Sequence, residues 1–221
     1  MKILKNGGVI LNTQLEMIHS PKYTTAFQLT KRFVGKNAGR VVLTFALHKS
    51  DGTLIATDSH KLLRIKNIHG FKEEYLINPR TFEAAKGQYP DTDKLIPENA
   101  EMVFRLDQEQ IKTWLKIHKS LKQMAVGTRE TALTKLIMKQ NSFEFEDKLS
   151  GITYKLPANE YKFDPKTENI TFNTEYLSDA LEVHHKLNST EVFIKLKGTM
   201  RPFNVTDGND IDALVLPVRT Y

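Results

Sequence analysis

There is no cysteine anywhere in the 221 residues. That removes disulfides, thiolate nucleophiles and zinc sites built on thiolates together, and it fits a cytoplasmic chain. No apolar run approaches the ~20 residues that cross a bilayer, so no membrane partner is expected. Residues 1–15 lack the apolar core of a secretion signal. Acids are missing from two long stretches, Met17 to Ser50 and Gln110 to Thr128, so both carry charge of one sign. The glycines of Gly35-Lys36-Asn37-Ala38-Gly39 do not have phosphate-loop spacing.

What is present is an ordinary globular composition, 40% apolar, which predicts a buried core. The length suits one large domain or two of about 100 residues. The net charge of +6 divides into +4 over residues 1–110, with 16 basic and 12 acidic residues, and +2 over residues 111–221, with 16 and 14. A surplus of this size favours a polyanionic partner only mildly, so its distribution matters more than its total.

Along the chain, Ile3-Leu4 and Val9-Ile10-Leu11 suggest an opening hairpin or edge strand. A helix is expected from Ser20-Pro21 to Val34, with Ala26, Phe27, Leu29, Thr30, Phe33 and Val34 on its apolar face and Gly35 at its stop. Strands are expected over 41–48 and 53–66, joined at Asp51-Gly52, and over 74–77. Asn78-Pro79 reads as the cap and first turn of a helix ending at Gly87, and residues 88–100 as a connection. The second half should hold a strand at 102–106, a helix capped by Asp107 over 108–125 and closed by Gly127, and strands at 133–139, 142–146 and 152–156, with a turn at Asn141. Asn173 should cap a helix to about Lys186, followed by strands at 192–197, 203–206 and 213–218. Helix-then-strands thus occurs twice, a weak internal repeat. It predicts an α+β fold of two units, 1–100 and 101–221, each with helices packed on antiparallel sheets.

Two features point towards chemistry or binding. Lys112, Lys116, Lys119 and Lys122 share one helical face with no nearby acid in sequence, opposite a stripe of Ile111, Trp114, Leu115, His118 and Leu121. Such a row is either a soluble surface or a phosphate-facing stripe. Lys22, Lys31, Arg32, Lys36 and Arg40 add to it from the first helix region. The helix 173–186 departs from the pattern, since Glu175, Asp179 and Glu182 give it an acidic face, and His184-His185 read as a cation pair at its end. The strand 53–66 is broken by Thr57-Asp58-Ser59-His60-Lys61, and Leu214, Leu216 and Val218 share one strand face at the C-terminus. His60 beside Asp58 has no third ligand at metal spacing, and no catalytic constellation or cofactor motif is found.

Three segments resemble one family. Thr57-Asp58-Ser59-His60-Lys61-Leu62 resembles the Thr-Asp-Gly-His-Arg-Leu segment of the bacterial DNA sliding clamp, the β subunit of the replicative polymerase. Phe172-Asn173-Thr174-Glu175-Tyr176-Leu177-Ser178-Asp179-Ala180-Leu181 is similar to its Phe-Asn-x-x-Tyr-Leu-x-Asp-x-Leu helix entry. Leu214-Val215-Leu216-Pro217-Val218-Arg219 is similar to its Met-Pro-Met-Arg ending. The resemblance covers residues 22–86 and 107–221, and it implies a two-domain relative matching the clamp's second and third domains.

The resemblance implies a processivity factor that performs no chemistry. It would encircle duplex DNA without reading sequence and tether polymerase and clamp-loader peptides, and because clamp rings have six such domains it would be a homotrimer. The DNA-facing residues would be Lys22, Lys31, Arg32, Lys36, Lys112, Lys116, Lys119 and Lys122. The peptide groove would use Thr57, Ser59, His60, Lys61 and Leu62 on one wall and Pro202, Leu214, Leu216 and Val218 on the other. Ser59 stands for the family's glycine and Lys61 for its arginine, which suggests an altered peptide preference. Two other readings stay open: an adaptor or decoy that binds replication peptides without encircling DNA, and a DNA-processing enzyme using His60 and Asp58.

Overall fold

The long 3.6-residue patterns fold as helices and the β-branched runs as strands, in a computed structural model that describes residues 15–36, 38–97, 99–128, 130–163 and 169–219. The first half contains α1 (Tyr23–Thr30), β1 (Ala46–His48), β2 (Leu54–Thr57), β3 (Lys61–Ile65), β4 (Tyr75–Ile77) and β5 (Ala84–Ala85). The second contains β6 (Met102–Asp107), α2 (Gln108–Thr128), β7 (Leu133–Lys139), β8 (Ser142–Asp147), β9 (Thr153–Tyr154) and β10 (Glu160–Lys162). It closes with β11 (Asn169–Asn173), α3 (Thr174–Lys186), β12 (Glu191–Leu196), β13 (Phe203–Thr206) and β14 (Ile211–Val215). The α+β class and antiparallel pairing agree with the sequence reading.

The strands form a ten-stranded sheet, ordered β10-β6-β12-β13-β14-β3-β2-β1-β4-β5, and a four-stranded sheet, β11-β7-β8-β9. The first half does not close a sheet of its own. Its β3 instead pairs with the last strand of the chain, Leu62 opposite Leu214 and Lys61 opposite Val215. Period-two alternation then sorts the apolar side chains. Leu63, Ile65, Ala213 and Val215 join the main core with Phe33, Phe104, Trp114 and Phe172. Leu62 and Leu214 point the other way, into a small cluster with Leu47, Ile55 and Leu76, covered by Val42, Phe45, Tyr89 and Ile96.

Several expectations need correcting. The opening hairpin of residues 1–14 lies outside the described residues. Residues 41–44 belong to a 3-10 segment, Ala38–Thr44, and only Ala46–His48 is strand. Thr44 Oγ1 donates to Val41 O (2.8 Å) and Gly35 N to Leu43 O (2.7 Å), which takes this backbone out of a ladder. Residues 53–66 are a hairpin rather than one strand. Asp58 Oδ1 accepts from the N–H groups of His60 and Lys61 (both 2.9 Å), and Thr57 Oγ1 donates to Lys61 O (2.8 Å). The polar cluster is therefore turn chemistry.

The helix expected after Asn78 stops within a turn. Asn78 Oδ1 does accept from Arg80 N (2.8 Å), as a cap should, but Phe82 adopts φ +63° and Ala84–Ala85 return beside β4. The Arg80 guanidinium reaches back to Lys31 O (2.9 Å) and Gly35 O (3.0 Å), so a tertiary contact overrides the local signal. Helix α2 runs through Gly127 to Thr128, an exposed end where the glycine penalty of ~1 kcal/mol is tolerated. The short strands β10 and β11 were not foreseen, and the strand expected over 152–156 shrinks to Thr153–Tyr154. His184 is no surface cation. It is fully buried between Ser189 Oγ and Val205 O (3.1 Å each), and burial lowers its pKa so that it stays neutral.

Candidate functional site

The turn after β2, the loop after α1 and the first turns of α3 enclose an open cleft of about 760 Å³ where the two halves meet. Asn173 caps α3 by accepting from Glu175 N (2.8 Å), which points the helix N-terminus at this cleft. Leu216 N donates to His60 O (3.0 Å), so the segment after β14 is fastened to the same turn. Apolar lining comes from Val34, Leu43 and Tyr176. The His60 and Tyr176 rings lie nearly parallel, with centroids 6.3 Å apart.

Beneath this lies a connected set of charges. Lys61, only 4% exposed, places Nζ 2.5 Å from Asp179 Oδ2 and 4.8 Å from the Tyr176 ring centroid. Arg32 reaches Asp179 Oδ1 at 3.0 Å and Glu182 Oε2 at 2.9 Å, the latter an ion contact without hydrogen-bond alignment. From α2, Lys119 meets Glu182 (3.0 Å) and Lys122 meets Glu175 (2.6 Å). Burial pushes the Glu175 carboxyl up, but the Lys122 hydrogen bond and the charges of Lys122, Lys61 and Lys36 overcome this and hold it below its usual range. The acidic face expected on α3 is thus not an exposed face. Asp179 and Glu182 are buried, at 1% and 5% exposure, and ion-paired.

The lysine row of α2 is correspondingly not unopposed. Lys112 pairs with Glu109 (2.6 Å), and only Lys116 of the four has no carboxylate within 4 Å among the described residues. Lys22 Nζ donates to Leu187 O (2.6 Å), Lys31 lies over the Phe82 ring, and Lys36 is exposed at the cleft.

The residues expected to line a groove separate into three groups. Ser59, His60 and Lys61 line the cleft. Thr57, Leu62 and Leu214 are buried, the two leucines inside the small second cluster, so they act as core rather than as open anchors. Leu216, Val218 and Pro202 are half-buried. Val218, whose N donates to Thr171 O (2.7 Å), opens instead onto a depression with Lys135, Asn169 and Met200.

Sequence reasoning missed Arg40, Leu43, Tyr176 and Asp179 as cleft residues. Tyr176 and Asp179 were within the quoted helix-entry motif, so their signal was present but read as a helix start. His60 and Asp58 form no acid–base pair, because the Asp58 carboxylate accepts from backbone N–H groups of the turn. Among the described residues, no three His, Asp or Glu side chains converge on a metal position, and no helix is long and apolar enough to cross a membrane.

No family model matches the chain. The β sliding clamp of Staphylococcus aureus is 28% identical over 141 residues, 62% of this chain, as is that of Staphylococcus epidermidis. The matched stretch covers 35% of each of those proteins, little more than a third of the curated relatives' length. Among solved structures, the Bacillus subtilis clamp superposes with TM-score 0.70 at 23% identity, covering 96% of this chain and 68% of that one. The Helicobacter pylori β clamp bound to a DNA ligase peptide gives 0.67 at 18%, covering 94% and 68%. Sequence and fold agree: the chain is a relative of the bacterial sliding-clamp family.

Proposed function

We propose that the chain is a processivity clamp made of two clamp-type units, 1–100 and 101–221. Its helical side would face duplex DNA, and its cleft would take peptides of replication proteins, as the Helicobacter clamp takes a ligase peptide. It would act by tethering and perform no catalysis. The observation that carries the reading is where the charge sits. The three helices with their flanking turns, residues 22–36, 108–128 and 174–186, hold nine Lys and Arg against four Asp and Glu, nearly the whole surplus of the chain. Such a surface binds phosphates without reading bases.

Two domains per chain make a closed six-domain ring from three copies, joined by head-to-tail contacts that close when the rotation fits. Light scattering should then give about three times the 25.3 kDa chain mass. The protein should remain on nicked circular DNA and slide off once that DNA is cut. Equal retention on both forms would sink encirclement. The ion pairs of Lys112, Lys119 and Lys122 favour a second reading, an adaptor that binds peptides without a ring. A strict monomer that binds a clamp-binding peptide but no DNA would establish that one.

A further inference from the structure

We propose that the cleft selects an acidic peptide, one whose carboxylates flank an apolar or aromatic residue, through Lys36 and Arg40. This deepens the reading of the cleft as a peptide site and rests on it.

Which charges of the cleft are free decides what it can hold. Of the acids lining the cleft, Asp58 accepts from two backbone N–H groups of its turn, Glu175 is paired with Lys122, and Asp179 lies between Lys61 and Arg32. Of the cations, Lys61 and Arg32 are held by Asp179, and the Lys31 ammonium lies 5.7 Å from the centroid of the Phe82 ring. Lys36 and Arg40 remain. Both are exposed, both line the cleft, and neither has a carboxylate within 4 Å among the described residues. With Glu175 and Asp179 paired to cations, and the charge of Asp58 set against that of Lys31, the net field reaching an occupant is positive and centred on these two cations. An anionic occupant completes it and a cationic one is repelled.

Arg40 is also held in place. Its Nη1 donates to Ser59 Oγ at 3.3 Å, and Ser59 has φ +78°, the left-handed region that favours glycine. A serine in this uncomfortable conformation supplies the hydroxyl that a glycine lacks. Below the two cations, the half-buried Tyr176 ring offers apolar surface over the buried Leu43 and Val34, which accounts for an apolar residue between the carboxylates.

Two fluorescent peptides with the same Leu-Phe core test this by anisotropy, one flanked by Asp and Glu, the other by Asn and Gln. The wild-type chain should prefer the acidic peptide by about tenfold at low salt, the size that two partly exposed ion pairs support. The preference should fade at high salt. The double variant Lys36→Glu, Arg40→Glu should lose it, with an unchanged melting temperature reporting that the fold is intact. Equal binding of both peptides by the wild type would overturn the inference and leave the peptide reading standing. A double variant that keeps the acidic preference but loses duplex DNA binding would overturn it too, assigning the cations to phosphate. Binding of neither peptide would overturn the underlying reading, and this inference with it.

Discussion

The cations of α2 are mostly matched and those around α1 mostly are not. Lys112, Lys119 and Lys122 of α2 each meet a glutamate, two of them on α3. Of Lys22, Lys31, Arg32 and Lys36 around α1, Arg32 alone reaches an acid, and it does so by crossing to α3, as Lys61 does from the β2–β3 hairpin. One helix therefore supplies three of the four acids of the helical side, and what it can reach decides which cations are free. Residue counts put +4 in the first half and +2 in the second; position on the fold decides which of these cations stay free.

The sharpest way to break this arrangement is to remove the acid that ties two first-half cations to α3. Asp179→Ala would leave Lys61 buried against Phe33 and Tyr176 without its carboxylate. Loss of one partner of a buried pair costs about 3 kcal/mol or more, so urea unfolding should show a fall of that size. A change under about 1 kcal/mol would mean that Lys61 finds another partner.

Acid should strike the two halves alike. Burial lowers His48 in the first half to about 3 and His118 in the second to about 4, so both are neutral when folded. The unfolded chain takes up these protons near pH 6.5, so stability held above that pH is lost as pH falls through 6.5 towards 4 and then 3. By pH 5 the loss is roughly 2 kcal/mol per histidine. His48→Leu should make the pH 7 to 5 decline shallower by that amount, and an equally steep decline would refute the assignment.

Smaller effects sharpen the comparison. Lys116→Gln should lower the log–log salt slope of duplex binding by up to ~0.9, whereas Lys122→Gln, already paired with Glu175, should lower it much less. Equal slopes for the two would remove the distinction between free and matched lysines. Smallest of all, Ser59→Gly should raise stability by about 0.5–1 kcal/mol by relieving φ +78°. A lower melting temperature would show instead that the Arg40 contact outweighs the strain.

The helices α2 and α3 were legible because periodicity and caps agreed, with Asn173 capping α3 as expected. The β7–β8 hairpin was legible from Asn141 for the same reason. The segments 38–44 and 79–85 were not, since tertiary bonds from Gly35 and Arg80 decide their backbone. The cleft was half legible. Its turn, 57–61, carries its polarity openly, but the second wall was sought in Leu214 and lies instead at Tyr176. Most opaque was the pairing of α3 acids with lysines far away in sequence, because hydropathy does not tell which charged side chains become buried.

The splice between β3 and β14 also fixes an order of events during synthesis. Arg64 and Asp212, joined across it by an ion pair, stand 148 residues apart in the chain. While the polypeptide is still emerging, β2 and β3 can pair, but the far edge of β3 keeps its backbone groups open until β14 has been made. An open edge of this kind templates pairing with whatever strand arrives first. In a crowded polysome that can be the β14 of a neighbouring chain, so a partner strand made this much later decides whether copies mature singly or exchanged.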